Sequence, residues 1–268
     1  MSIIRTLFLF LFLLQTAIGQ VRLVTWNIEN FGASKSEAQV AFIADYLRSY
    51  DVIALQEVVA GPGGAQQVAA LADALNRKGS QWDYAVSNPT LSSAYKTERY
   101  AYLWQPSRVQ LVGKPWLEAT YAQQIDREPY LATFKKGDKE FTLVNFHAIT
   151  ESKQPETEIK YLKFFPAHYS KLHLVFLGDF NCPQSHSVFQ PLRGLGYQPA
   201  FTGQKTSLKR DCDSGDCLSK EFDNVWYPKD YMNVVEKQAL LFYERMPSFA
   251  VARQLSDHIP LTVTLNFL

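Results

Sequence analysis

Short apolar runs that end in an acid, an amide or an imidazole alternate along this chain with stretches of helical periodicity. Few folds accept that pattern. Residues 21–28 alternate in apolar character and carry Trp26-Asn27 near their end. Asp51-Val-Ile-Ala-Leu-Gln-Glu57 is a brief apolar run closed by an acid, as a buried strand would be. Between them Ser34-Lys-Ser-Glu37 reads as a capping box, after which Val40, Ile43, Ala44 and Leu47 fall on one helical face. Beyond Gly61-Pro-Gly-Gly64, the spacing of Val68, Leu71, Ala72 and Leu75 predicts a second helix stopping near Gly79. Strand-like runs follow at 99–104, 108–112, 130–134 and 140–147, with Lys135-Lys-Gly-Asp-Lys139 as a hairpin turn. Residues 156–169 are predicted helical up to Pro166, 172–177 form a further strand, and 261–267 close the chain. Isolated strands separated by helices, with at least one hairpin, predict an α/β architecture of mixed sheets covered by helices. No internal repeat and no separating linker is visible, so one domain is expected.

The 268 residues are 47% hydrophobic and 14% aromatic, which supplies a core and argues against disorder. Lys and Arg number 27 against 26 Asp and Glu. No global positive charge exists to hold a polyanion without specificity.

Residues 1–19 stand apart. Arg5, an apolar block from Leu7 to Leu14 and small residues at Ala17 and Gly19 have the form of a secretory signal peptide. A membrane-spanning helix needs roughly 20 apolar residues, and this block is shorter. The predicted division is therefore a signal peptide over 1–19 and one domain over 20–268. Cleavage would remove Arg5 and no acid, leaving a neutral protein in an extracellular or periplasmic setting. Export permits disulfides, and the chain has three cysteines, Cys182, Cys212 and Cys217. A local Cys212–Cys217 bridge is the first expectation, with a bridge from Cys182 to either as the alternative. The spacing offers no further Cys or His for zinc, and Asp211, Asp213 and Asp216 read as a solvated loop.

The residues with chemistry to offer are Asn27, Glu57, Glu98, His147, Asp179, Asn181, Asp223 and Asp257-His258, all at the ends of strand-like runs. Buried strands do not need acids at their tips, whereas active sites are often built there. Any one of these residues has a dull explanation as a turn former or a satisfied structural group. The whole set does not. Carboxylate and amide oxygens suit a hard divalent ion, and two imidazoles suit proton transfer or stabilisation of a phosphoryl group. A Gly-X-Ser-X-Gly elbow and a phosphate-cradling glycine loop are both absent from the sequence. Metal-assisted hydrolysis by water fits this inventory.

At these positions the chain resembles a known family. The motifs are Thr25-Trp-Asn-Ile-Glu-Asn-Phe-Gly32, Ile53-Ala-Leu-Gln-Glu57, Tyr95-Lys-Thr-Glu-Arg-Tyr100 and Asp126-Arg-Glu-Pro129. They continue with Leu143-Val-Asn-Phe-His147, Leu177-Gly-Asp-Phe-Asn181, Phe222-Asp-Asn-Val225 and Ser256-Asp-His-Ile-Pro260. In this order they resemble the endonuclease/exonuclease/phosphatase superfamily, and within it the secreted deoxyribonuclease I branch. The resemblance implies a four-layered α/β sandwich, two packed mixed β-sheets flanked by helices. It also implies a site in which Glu57, Asn27, Asp257 and Asn181 serve a metal, Mg²⁺ or Mn²⁺ with Ca²⁺ as an alternative. Asp179 and Asn181 would hold water or phosphate. His147, backed by Glu98, and His258, backed by Asp223, would flank the scissile phosphate, and Arg127 would touch backbone phosphate.

Two departures are visible. Where the branch carries arginines that enter the DNA minor groove, this chain has Glu29 and, near the second position, Val58-Val59. Its Tyr-Lys-Glu motif is also one residue longer. The resemblance implies DNA as substrate, a monomeric chain and no stable membrane anchor. A phospholipid-directed phosphoesterase of sphingomyelinase or inositol-phosphate phosphatase type is the alternative, and a catalytically dead binding module is the third reading. Neutrality predicts weak, salt-sensitive engagement of DNA.

Overall fold

A computed structural model describes residues 19–92, 97–213 and 215–268. The expected signal peptide and Tyr95-Lys96 lie outside the described residues, apart from Gly19.

One sheet takes the spatial order β11-β12-β1-β2-β4-β3. Its strands are β1 (Gln20–Phe31), β2 (Val52–Val59), β3 (Asp83–Val86), β4 (Glu98–Trp104), β11 (Met232–Ala239) and β12 (Leu261–Phe267). The other has the order β5-β6-β7-β8-β10-β9. It comprises β5 (Gln110–Leu117), β6 (Tyr130–Lys136), β7 (Lys139–His147), β8 (Leu174–Asp179), β9 (Tyr197–Pro199) and β10 (Asp223–Pro228). Each sheet is antiparallel except for one central parallel pair, β1–β2 in the first and β7–β8 in the second. Both also repeat the same local sequence of pairings, antiparallel, parallel, antiparallel, across β12-β1-β2-β4 and β6-β7-β8-β10.

The sheets pack face to face, and side chains alternate between two burials as the period of a strand requires. On β1 and β2, Leu23, Val52 and Ala54 point between the sheets, while Val24, Trp26, Ile53 and Leu55 point outward against helices. On β7 the inner residues are Phe141 and Leu143, and the outer ones Val144 and Phe146. Because both faces are covered, the central strands read as continuous apolar runs. Helices α1 (Glu37–Leu47) and α2 (Pro62–Asn76) cover the first sheet. The short α3 (Glu156–Ile159), α4 (Phe165–His168) and α5 (Gln190–Gly194) cover the second, and α6 (Phe249–Leu255) returns to the first. The four expected layers are all present.

Local expectations were revised in two places. The capping box that starts α1 is formed by Ser36 and Gln39, two residues beyond the Ser34–Glu37 pair that fits the same pattern. The helix expected over 156–169 is broken into single turns, with Pro166 opening the last of them. Proline has no N–H to continue a helix and suits its first turn.

Candidate active site

The C-terminal ends of both parallel pairs open at one edge of the sandwich. Asn27 lies on β1, Glu57 on β2, His147 at the end of β7 and Asp179 at the end of β8. Glu98 and Asp223 are the first residues of β4 and β10, and these strands run antiparallel to β2 and β8, so their starts arrive at the same edge. His258 stands in the segment that leads into β12. Behind this ring, Gln56 Nε2 donates to Asn145 Oδ1 at 2.6 Å, and Asn145 Nδ2 donates to Leu55 O at 3.0 Å. These buried amides tie β2 to β7 between the sheets, one and two residues from Glu57 and His147.

Backbone irregularity aims two of the groups. The β2–β4 register shifts between Leu55 and Val58, and within that bulge Glu57 takes φ 59°. A left-handed glutamate costs on the order of 1–3 kcal/mol and is held by its surroundings. Here its carboxylate accepts from Asn27 Nδ2 at 3.0 Å and from Asn30 N at 3.1 Å. Asn181 is likewise left-handed at φ 49°, and its N–H donates to Asp179 Oδ1 at 2.8 Å. Gly178, immediately before Asp179, has φ +129°, and a Cβ there would lie 2.0 Å from Phe146 O. Only glycine lets β8 approach β7 closely enough to set Asp179 beside His147.

Two imidazole–carboxylate pairs converge. His147 Nδ1 is 2.8 Å from Glu98 Oε1, and His258 Nδ1 is 2.7 Å from Asp223 Oδ2. The Nε2 atoms of both rings face one oxygen, Asp179 Oδ2, at 3.5 and 3.8 Å. Asn27 Nδ2 donates to that same oxygen at 3.1 Å. Burial and the Arg127 charge oppose protonation of His147, but the charge and hydrogen bond of Glu98, with Asp179, outweigh them and raise its pKa. Burial also opposes protonation of His258, and Asp223 and Asp179 overcome it, so this pKa lies well above the ordinary value. For Asp179 burial works against ionisation. The two histidines, the Asn181 N–H and Asn27 prevail and hold its pKa down.

His147, His258 and Asp179 line a cleft of about 630 Å³ together with Glu57, Asn181 and Asp257, while Glu98, Asp223 and Asn27 stand behind them. Asp257 faces Arg253 at 3.7 Å, while its Oδ1 is buried without a hydrogen-bond partner. Asn27 Oδ1 and Asp223 Oδ1 are also buried and, like Asp257 Oδ1, have no hydrogen-bond partner among the described residues. Orphaned acceptor oxygens beside clustered carboxylates are what a bound cation would satisfy. Asp179, Asp223 and His258 place ligand atoms within 4.8 Å of one another, close enough for a metal ion.

Arg127 is engaged by the protein itself as well as facing the site. Its Nε donates to His147 O at 3.0 Å, another nitrogen donates to Ala148 O, and Nη1 lies 3.7 Å from Glu98 Oε2. Only 7% of the residue is exposed. It braces the backbone that carries His147 and keeps only a narrow face toward a neighbouring recess shared with Glu57 and Glu98. Two further groups escape sequence reasoning. Tyr100 OH accepts from His147 N at 3.2 Å, and Ser256 Oγ donates to Asn27 O at 2.6 Å while accepting from His258 N at 3.0 Å. Both sit inside the motifs quoted for the resemblance, but neither residue type signals a bracing role. The Cys212–Cys217 disulfide is present and Cys182 is a buried free thiol, as first expected.

Fold and site together are those of a hydrolytic enzyme. The Endonuclease/Exonuclease/phosphatase family model matches residues 24–258, and the chain belongs to that family. It is 27% identical over 229 residues to a deoxyribonuclease from Thioalkalivibrio sp. (strain K90mix), covering 80% of this chain and 60% of that protein. It is 29% identical over 280 residues to deoxyribonuclease-1 from Canis lupus familiaris, covering 95% and 94% of the two chains. A crystal structure of an endonuclease/exonuclease/phosphatase from Bacteroides vulgatus superposes with a TM-score of 0.68 at 16% identity, over 93% of this chain and 99% of that one. Across the sheets, helices and connections, the expected sandwich is the observed one.

Proposed function

We propose that this protein is a secreted, divalent-metal-dependent phosphodiesterase that cuts DNA internally. The observation that carries the reading is the convergence of two carboxylate-backed imidazoles on Asp179, beside Glu57, in an open cleft. Deoxyribonucleases among the relatives favour DNA over a phospholipid as the substrate. The N-terminal apolar segment and the disulfide support export.

Glu98 and Asp223 bind the Nδ1 sides of their rings, so each Nε2 is the nitrogen directed at substrate. Raised pKa values keep both rings protonated toward neutral pH, and Nε2–H can then donate to the phosphoryl oxygens as negative charge builds. Asp179, held ionised between them, orients the attacking water toward phosphorus and takes its proton as the new P–O bond forms, while one imidazolium gives its Nε2 proton to the departing sugar oxygen. The Asn181 N–H fixes that carboxylate. Glu57, Asn27 and Asp257 are the better metal seat, because Asp223 Oδ2 and His258 Nδ1 already engage each other. A hard ion there would neutralise phosphoryl charge and favour departure of the sugar oxygen.

The test gives purified mature protein plasmid DNA, RNA and sphingomyelin, with Mg²⁺ or Ca²⁺ and then with chelator. Nicked plasmid that disappears on chelation is expected. Intact DNA with released choline phosphate would replace this reading by the phospholipid one.

A further inference from the structure

The cleft contains a cation that the chemistry above does not use. Arg210 is exposed, lines the same cleft as His147, Asp179 and His258, and its guanidinium has no partner among the described residues. The other cations around it are engaged. Lys205 pairs with Asp216 at 2.9 Å, Lys209 Nζ donates to Asp216 O, Lys220 pairs with Glu151 at 2.9 Å, and Arg253 faces Asp257 at 3.7 Å. The acids next to Arg210 in the chain, Asp211 and Asp213, do not line the cleft.

Arg210 is also held in place. Leu208 N donates to Asp257 O at 2.6 Å and Ile259 N to Thr206 O at 2.9 Å, so its segment is stitched to the backbone that carries His258. Leu208 bridges Leu218, and Lys209 N donates to Cys217 O at 2.9 Å. The Cys212–Cys217 bond closes the tip just beyond Arg210. A guanidinium on a pinned hairpin loses less freedom on binding than one on a loose loop, and its planar fork matches phosphate.

We infer that Arg210 binds a phosphate of the nucleic-acid backbone that flanks the scissile one. It supplies a grip that Glu29 and Val58-Val59 do not, beside an Arg127 already braced against His147 and Ala148. The inference rests on the nucleic-acid reading of the site.

The experiment compares wild type, Arg210→Gln and Arg210→Lys in two measurements. In the first, a labelled DNA duplex is titrated in chelator across a salt series. Arg210→Gln should weaken binding severalfold and flatten the log–log salt dependence by about 0.9, the loss of one phosphate contact. Arg210→Lys should recover most of that slope, and a Cys212→Ser/Cys217→Ser double variant should fall between. In the second, bis(p-nitrophenyl) phosphate turnover with Mg²⁺ should fall far less in Arg210→Gln than DNA binding does, because so small a diester has no flanking phosphate for Arg210 to hold. An unchanged salt slope would overturn the assignment, as would an equal loss in DNA binding and in turnover of the small diester. If wild type left plasmid DNA uncut in Mg²⁺ and did not turn over the small diester, yet bound the duplex through Arg210, the catalytic reading would fail and this one would stand.

Discussion

Gly178→Ala tests whether close strand approach sets the site. The new Cβ would stand 2.0 Å from Phe146 O and 3.0 Å from its carbonyl carbon. A carbon rests against a carbonyl oxygen at about 3.3 Å or more, so β8 must retreat from β7 by roughly 1 Å. Alanine at φ +129° adds strain of about 1–3 kcal/mol. Loosening one or two ladder hydrogen bonds adds about 1 kcal/mol each. The sum, about 2–5 kcal/mol, is a large part of an ordinary stability of about 5–15 kcal/mol. For a chain of this size it should lower Tm by roughly 4–20 °C. The same movement separates His147 from Asp179, which face each other in the β7–β8 register, and a displacement of about 1 Å can cost about 100-fold in rate. The assays are thermal melting by circular dichroism and plasmid nicking well below the variant's Tm. Gly194→Ala, in a helical turn with nothing within 4 Å of the added Cβ, is the control and should melt at or a few degrees above wild type, since alanine restricts the unfolded chain. A Gly178→Ala protein that melts within 2 °C of wild type (roughly the effect of under 1 kcal/mol) and keeps its activity would refute the close-approach argument.

Three other outcomes are expected. His147→Ala and His258→Ala should each lower DNA cleavage by about 10²–10⁴-fold while far-ultraviolet circular dichroism stays native, and normal turnover in either would remove its assigned role. The raised pKa values of both histidines stabilise the fold fully below the unfolded value of about 6.5, and that contribution fades as pH rises through the folded values. Urea unfolding in chelator from acid to alkaline pH should follow that decline, and His258→Asn should flatten it. Asp51 is buried among Arg22, Arg108 and Lys136, at 2.9, 3.1 and 2.8 Å. Asp51→Asn should cost about 2–4 kcal/mol in the same measurement, because three facing cations lose their anion.

The parts legible in sequence were those written locally. Apolar alternation over 21–28 and the acid closing 51–57 located β1, β2 and two residues of the cleft edge. The start of α1 was legible to within two residues, since Ser34 and Ser36 both satisfy a capping pattern and only packing selects Ser36. β11 lies at a sheet edge, where several of its residues are exposed, and it had no apolar signal to offer. The matching order of pairings in the two sheets was invisible as a repeat, because corresponding corners carry different residues, Asn27 in one and His147 in the other. Arg127 shows the limit most plainly. A basic residue in a motif carries no mark of whether it will face substrate or brace a carbonyl, and that depends on contacts with residues 20 and 21 positions away.

The amide bridge from Gln56 to Asn145 has a consequence for how this protein should fail. Asn27 and Glu57 belong to one sheet, and His147, Asp179 and Asp223 to the other, so the cleft exists only while the sheets keep their mutual alignment. Each strand ladder can survive a small slip between sheets, but a 2.6 Å hydrogen bond buried between them cannot. Under gentle heating or acid, function should vanish while most of the backbone pairing persists. The enzyme's own turnover thus becomes a gauge of whether its two halves are still seated on each other.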